Sequence, residues 1–317
     1  MYLCKMRVRI RIRKERVFAA VPRRLLKAEL TEDKMLCKTR HGGNLVYDIT
    51  YKNSPNLMQE IGRLRELAFR DAGGGTGHAV DIDGFDICAN PFHQLLVWSP
   101  KDRQIISSYR YILGRNIEIA DKEVQSPTAK LFAFSDEFIT DYLPFSIELG
   151  RSFVQPLYQV GNKGIFALDN IWDGLGALIR KHPEIKYFYG KMTMYKSYNK
   201  LARDLVLFFL KKHFPAIKPL LFPHKPLAFF HSEAMLSSIL TSADFKEDFK
   251  ILNREMTTLQ CRVPPLVNIY MGLSPTMQCF GTADNTNFGD VEETAILIKI
   301  DDIYEAKKER YIKNSLQ

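Results

Sequence analysis

Long apolar runs are missing from this chain. The longest, such as Leu205–Leu210 and Ala295–Ile298, fall far short of the roughly 18 to 20 residues that a membrane-spanning helix needs, so no spanning segment is expected. The N-terminus is basic and lacks the apolar stretch of about 7–15 residues that marks a secretory signal peptide, so the chain is expected to stay in the cytoplasm, free or peripheral on the inner membrane face. Cysteine is scarce too. The five, at positions 4, 37, 88, 261 and 279, are scattered and form no CxxC pair, which argues against a disulfide framework or zinc site and fits a reducing compartment. The seven histidines show no HxxxH spacing, so no metal is implied. Internal repeats, low-complexity segments and a Ser/His/Asp pattern are also missing. What remains is an ordinary globular composition: 317 residues, 46% apolar and 26% charged, enough for one large domain or two modest ones with a sizeable core.

Positive charge, in contrast, is abundant, and its placement is local. The net charge is +9, and residues 1–40 hold 13 Lys/Arg against 4 Asp/Glu, while the rest of the chain holds 32 of each sign. The excess therefore belongs to a basic N-terminal arm, residues 1–40, ahead of a body spanning 41–317. From Lys5 to Phe18 the arm reads KMRVRIRIRKERVF, basic and aliphatic residues alternating at period two. That suits a strand with one charged face, or a tail lying on an anionic membrane surface. The plainer alternatives are a solvated tail, or an upstream start with Met35 or a nearby residue as the true beginning. Nucleic acid is not expected as a partner, because no recognised binding motif accompanies the basic stretch.

Along the body, Asn44–Tyr51 is rich in β-branched and aromatic residues and reads as a strand. Ser54 and Pro55 then start a helix on which Leu57, Ile61, Leu64, Leu67 and Ala68 recur at helical spacing. It ends before Gly73-Gly74-Gly75, expected as a mobile loop able to take positive φ. GGGTG lacks the GK[ST] ending of a phosphate loop and follows a helix instead of a strand, so no nucleotide site is read there. His93–Ser99 and Gln104–Leu113 form an expected hairpin, and Phe145–Tyr158 contains a strand interrupted at Gly150. Helix, strand and strongly amphipathic helix follow at Ile165–Arg180, Ile185–Met194 and Tyr198–His213. Residues 214–262 are expected as a helical insertion, Pro264–Leu273 as a short helix and Thr294–Ile300 as a final strand. The order implies an α/β chain opening with a hairpin, not the regular βαβ of a dinucleotide domain.

Three clusters could carry chemistry. Arg63, Arg65, Phe69 and Arg70 lie on the helix before the glycine loop. Asp81, Asp83 and Asp86 form an acidic loop, with Tyr109-Arg110 on the following hairpin. Glu148-Leu149-Gly150-Arg151 sits on an expected central strand. Taken singly, each has a structural explanation: a solvated helix face, a capping loop, an edge strand. Glu148 is the hardest to dismiss, since Phe145, Ile147, Phe153 and Val154 argue for a buried strand, and a buried carboxylate is costly unless paired or functional. Glu148 and Arg151 have opposite parity on a regular strand; a bulge or splay at Gly150 would change that and expose backbone groups to a ligand. Such a place suits acyl transfer. A carboxylate can take a proton from an amine, and a free N–H can hold the oxyanion.

At this point the chain resembles a family. IGRLRELAFRDAGGGTG, DIDGFD, SSYRYILG, IELGRSFVQPLY, YFYGKMTMYKSYN and PPLVNIYMGLSPTMQCFGTADNTNFGDVEETAILI, as an ordered set from about Ala28 to Ile303, look like the bacterial aminolipid N-acyltransferases. These proteins, often labelled hemolysin-like, begin the synthesis of ornithine and glycine lipids. They are similar to the GNAT N-acetyltransferase superfamily and to acyl-homoserine-lactone synthases. The resemblance implies an α/β, GNAT-like mixed central sheet flanked by helices. It also matches the synthases' R-x-x-x-F pair to Arg65 and Phe69, their acidic loop to Asp83 and Asp86, their hairpin arginine to Arg110, and their E-x-x-R to Glu148 and Arg151.

The implied activity is transfer of a long-chain, 3-hydroxylated fatty acyl group to the α-amine of an amino acid, glycine favoured and ornithine next. Glu148 would serve as base, Arg110 or Arg151 would hold the acceptor carboxylate, and no cofactor is expected. One departure bears on the donor. Where acetyltransferases carry Q/R-x-x-G-x-G/A for CoA, Gln159–Gly164 reads QVGNKG, with a glycine misplaced by one. A donor bringing a single phosphopantetheine phosphate, acyl carrier protein, fits better. Residues 214–262 have no counterpart in small acetyltransferases and are expected to roof a long acyl chain. The alternatives are an acyl-homoserine-lactone-type signal synthase and a non-enzymatic, lipid-binding hemolysin-like protein; the latter should show a long amphipathic or spanning element, and this chain has neither.

Overall fold

The computed structural model describes residues 14–159 and 162–313; the alternating basic stretch before Lys14 lies outside the described residues. In chain order the elements are α1 (Arg23–Glu29), β1 (Met35–Lys38), β2 (Leu45–Ile49), α2 (Pro55–Asp71), α3 (Gly84–Ile87), β3 (His93–Ser99) and β4 (Gln104–Leu113). Three short strands follow, β5 (Ile119–Ala120), β6 (Glu123–Val124) and β7 (Phe132–Phe134), then β8 (Ser146–Val154), α4 (Asn162–Lys181), β9 (Tyr187–Tyr195) and α5 (Lys200–His213). β10 (Leu221–Pro223), α6 (Glu233–Ile239), α7 (Phe245–Thr258) and α8 (Pro265–Met271) lead to β11 (Gln278–Asn285), β12 (Val291–Lys299) and α9 (Glu305–Lys308).

Eight strands make one mixed sheet in the order β1-β2-β3-β4-β8-β9-β12-β11. β8 and β9 run parallel, which requires a crossover, supplied by α4; the other neighbours are antiparallel. The sheet is covered on both faces, so its central strands read as unbroken apolar runs. On β3, Leu95 and Val97 join the core under α4 and α5, while Leu96 and Trp98 join the core under α1 and α2.

Several expectations shift. Part of the stretch assigned to the basic arm belongs to the body: β1 pairs with β2, Leu26 of α1 is buried, and Glu29 accepts hydrogen bonds from the backbone N–H of Asn56 and Leu57. Glu29 thus does the capping expected of Ser54, whose side chain makes no cap bond. A chain beginning at Met35 would leave those first-turn donors without it. The glycine loop is anchored as well: Thr76 N, Thr76 Oγ1 and Gly77 N all donate to the buried Glu66 carboxylate at 2.8–2.9 Å. Nor is α5 simply amphipathic. Ala202–Leu210 is buried throughout, because the 214–262 insertion, through α6 and α7, packs on its outer side; a helix buried all round needs no polar face. Finally, β11 was not evident from sequence. Gly281 at φ +93° and a register shift between Cys279 and Thr282 break its alternation.

Candidate active site

The parallel pairing of β8 and β9 covers only Ser146–Leu149 and Tyr187–Gly190. Beyond it the strands part around a cleft of about 220 Å³. At the branch point the backbones are tight: a Cβ on Gly190 would lie 2.3 Å from the Leu149 carbonyl oxygen. On its other side β8 carries a bulge. Ser108 of β4 pairs with Phe153 but Arg110 pairs with Gly150, so β8 holds one residue more than its partner. Sequence places the interruption at Gly150; it is Arg151 that takes the left-handed conformation, at φ +52°, which costs on the order of 1–3 kcal/mol for a non-glycine residue. The extra residue cancels the opposed parity. Glu148 and Arg151 both line the cleft.

Glu148 sits on the floor, 2% exposed. Its Oε1 accepts from Thr128 N at 2.9 Å and Thr128 Oγ1 at 2.7 Å, and its Oε2 accepts from Tyr189 Oη at 2.7 Å. Burial, then the Glu148 charge, pushes the Tyr189 phenol well above its ordinary range, so this hydroxyl stays a donor. Three donors fix the carboxylate.

Beneath the cleft lies a chain of alternating charges. Arg65 Nη1 lies 3.2 Å from Asp86, Arg110 Nη1 lies 3.3 Å from Asp86 and 2.8 Å from each Asp83 oxygen, and Arg151 Nε lies 2.9 Å from Asp81. Gln94 joins in, donating to Asp86 and accepting from Arg65. Asp83 also caps α3 through Phe85 N. Burial alone would raise the Asp83 carboxyl, but the Arg110 charge and hydrogen bond outweigh it and hold it well below the usual carboxylate range. Three arginines meet three aspartates, each buried charge paired as burial demands.

The structure thus gathers Arg65, Asp83, Asp86, Arg110 and Arg151 into one network. Arg65 and Asp86 are fully buried and do not line the cleft, and Arg110 reaches it at 1% exposure. Phe69 lines it directly and packs edge-on to Phe288, 5.0 Å between ring centres. The Arg151 guanidinium lies 3.8 Å over that same Phe288. None of the described cleft-lining residues comes from 214–262. The expected roof therefore covers α5 instead.

Sequence reasoning missed Thr128, Lys191 and Glu293, all in the cleft wall. The one available signal was the alternation Tyr189, Lys191, Thr193, Tyr195, which puts four polar-tipped side chains on one face of β9.

Comparison with known proteins agrees with this architecture. The Acetyltransferase (GNAT) domain model matches residues 64–167. A glycine N(alpha)-acyltransferase of Phocaeicola vulgatus is 52% identical over 305 residues, 95% of this chain and 93% of the relative. A second protein of that description, from Bacteroides thetaiotaomicron, is 52% identical over 309 residues, 96% and 91% of the two chains. A solved CoA-dependent acyl-homoserine lactone synthase aligns over 86% of this chain and 97% of its own at 13% identity and a TM-score of 0.38, too distant to bear on the chemistry. With half of all positions identical across nearly the full length of both relatives, the chain is a GNAT-fold acyltransferase and belongs to the glycine N(alpha)-acyltransferase family.

Proposed function

We propose that the enzyme moves a long-chain, 3-hydroxylated acyl group from acyl carrier protein to the α-amine of glycine, the first step of aminolipid synthesis. The observation that carries this reading is the fork: a fixed carboxylate, Glu148, on the floor of a cleft where the β8 backbone from Gly150 onward has no ladder partner in β9. A thioester threaded into the fork would present its carbonyl to those backbone groups. Glycine's amine must lose a proton before or during attack, and Glu148 takes it, directly or through water. The thiolate of the phosphopantetheine arm leaves as the C–S bond breaks and the C–N bond forms. No cofactor enters this scheme.

Glycine is favoured over ornithine by the names of the relatives and by the acidic loop. An ornithine side chain needs a carboxylate for its ammonium, and Asp81, Asp83 and Asp86 are already matched by Arg151, Arg110 and Arg65. The donor reading rests on Gln159–Gly164: α4 already begins at Asn162, which places Gly164 in a helical turn instead of a pyrophosphate-cradling loop. Acidic carrier proteins bind basic surfaces with an affinity that falls as salt rises. The described residues hold no helix long and apolar enough to cross a membrane. We read the basic stretch before Lys14 as a contact with the anionic cytoplasmic membrane face, each cation adding about 1 kcal/mol.

Acyl-CoA and acyl-carrier-protein donors, each offered with glycine and with ornithine, test both assignments by product mass spectrometry. Efficient use of free acyl-CoA would defeat the donor assignment, and an ornithine product without a glycine product the acceptor assignment. An acyl-homoserine lactone from S-adenosylmethionine would establish the signal-synthase alternative.

A further inference from the structure

Lys191 lies one residue beyond the last β9 position paired to β8, at the fork itself. Its Nζ donates to the Pro127 carbonyl at 2.7 Å and meets Glu293 Oε2 at 3.1 Å. Its side chain is only 12% exposed and lines the cleft. An ammonium has three donors, and two are satisfied by those contacts. Both anchors are themselves fixed. Pro127 precedes the Thr128 that clamps Glu148, and Glu293 also accepts from Asn285 Nδ2 at 2.9 Å. The lysine ammonium and the Glu148 carboxylate are thus set by adjacent residues of one loop.

The charges facing the cleft sort themselves by prior engagement. Arg110 is matched by Asp83 and Asp86, and Arg151 by Asp81 with its flat face on Phe288. Lys191, ion-paired to Glu293, is a compact cation in a cleft that Glu148 also lines. An α-amino acid is a zwitterion whose two charges sit one carbon apart. Bringing its carboxylate into so enclosed a space is costly without a charged partner, and its ammonium wants acids nearby. A cleft lined by one lysine and two glutamates matches that pattern.

We propose that Lys191 holds the carboxylate of the acceptor amino acid, and that Glu293 is the positioning residue that aims it. This rests on the glycine-acceptor reading above. It assigns to β9 the task that the sequence placed on Arg110 or Arg151, and it gives the enzyme a means of refusing simple amines that share glycine's nucleophile.

The test compares glycine with glycinamide, which keeps the amine and lacks the carboxylate charge, at saturating 3-hydroxyacyl carrier protein. The wild-type enzyme should favour glycine in kcat/KM. In Lys191→Met, KM for glycine should rise by roughly 10- to 100-fold, the scale of one charge-assisted hydrogen bond, while glycinamide kinetics change little. Lys191→Gln keeps a donor for Pro127 and should show the same selective loss, so a folding defect in the first variant leaves the question answerable. Glu293→Gln should raise KM for glycine less, with kcat nearly kept. Wild-type enzyme that uses glycine and glycinamide equally, or Lys191 variants that weaken both alike, would overturn the assignment of Lys191 alone. A wild-type enzyme unable to acylate glycine would overturn the acceptor reading together with it.

Discussion

Replacing Glu148 by Gln separates chemistry from architecture more cleanly than any other single change in the site. The amide has the same size, and its oxygen can accept from both Thr128 donors, now at 2.7 and 2.9 Å. Its NH2 would donate to Tyr189 Oη, which must turn from donor to acceptor. At most one hydroxyl proton changes partner, so the stability cost should stay near about 1 kcal/mol. The catalytic cost is different in kind. Loss of a positioned base lowers turnover by roughly 10²–10⁴-fold, about 2.7–5.5 kcal/mol of barrier. The assay is thiol release from the acyl donor at saturating glycine, with thermal melts alongside. The variant's rate should climb nearly tenfold for each unit of pH while glycine's amine is mostly protonated, because only free amine can then react. Near-full turnover at neutral pH with an unchanged melt would refute Glu148 as the base.

Other expectations follow from the same geometry. Arg110→Ala leaves Asp83 and Asp86 short of their shared cation, so it should lose roughly 3–5 kcal/mol in denaturant titration, the scale of breaking a buried ion pair; Arg151→Ala, at the cleft wall, should chiefly alter kinetics, and unchanged melts for both would remove the network from the stability account. Glu66 has its pKa lowered below its ordinary 4.5: burial raises it, but Arg70, Thr76 and Gly77 outweigh burial. A group depressed in the folded state contributes stability above its unfolded pKa and loses it as pH falls through the folded one. Urea midpoints should therefore drop on acidification below about pH 4.5, and less so in Glu66→Gln; parallel curves would contradict this. Gly190→Ala forces a methyl to within 2.3 Å of the Leu149 carbonyl oxygen and should pry the fork open, costing both stability and turnover. Normal activity with a normal melt would show that the branch point is not rigid.

Much of this was legible in sequence, for reasons that are local. The hairpin of β3 and β4, the crossover helix α4 and the strand bearing Glu148 announce themselves through runs and periods that a short window contains. Glu148 could be suspected because its neighbours demanded burial while it could not easily accept it. The roles of Arg65, Arg110 and the three aspartates were visible only as a clustering of charge, since whether an arginine meets a substrate or an aspartate depends on which loop folds over it. Thr128 and Glu293 gave no signal at all. One is an unremarkable threonine in SPTAK, the other one of two glutamates in VEETAILI, and each becomes meaningful only when β8 or β9 is laid beside it. The bulge at Arg151 was misplaced by one residue because glycine is the usual occupant of positive φ, and here a stacked, ion-paired arginine holds it instead.

The position of β12 in the sheet has a consequence for how the enzyme is made. Its register with β9 runs unbroken from Val291 opposite Tyr195 to Lys299 opposite Tyr187, yet β12 follows β9 only after α5, β10, α6, α7, α8 and β11. Until residues near 299 emerge from the ribosome, β9 is a nine-residue open edge carrying Phe188, Met192 and Met194, the kind of long apolar edge that recruits foreign strands. The nascent protein therefore carries this aggregation hazard from the time Tyr195 is made until Lys299 follows, and the strand that ends the hazard also delivers Glu293 to the cleft. Chains released early should be insoluble, not feebly active, and activity should appear in one step with the closing of the sheet.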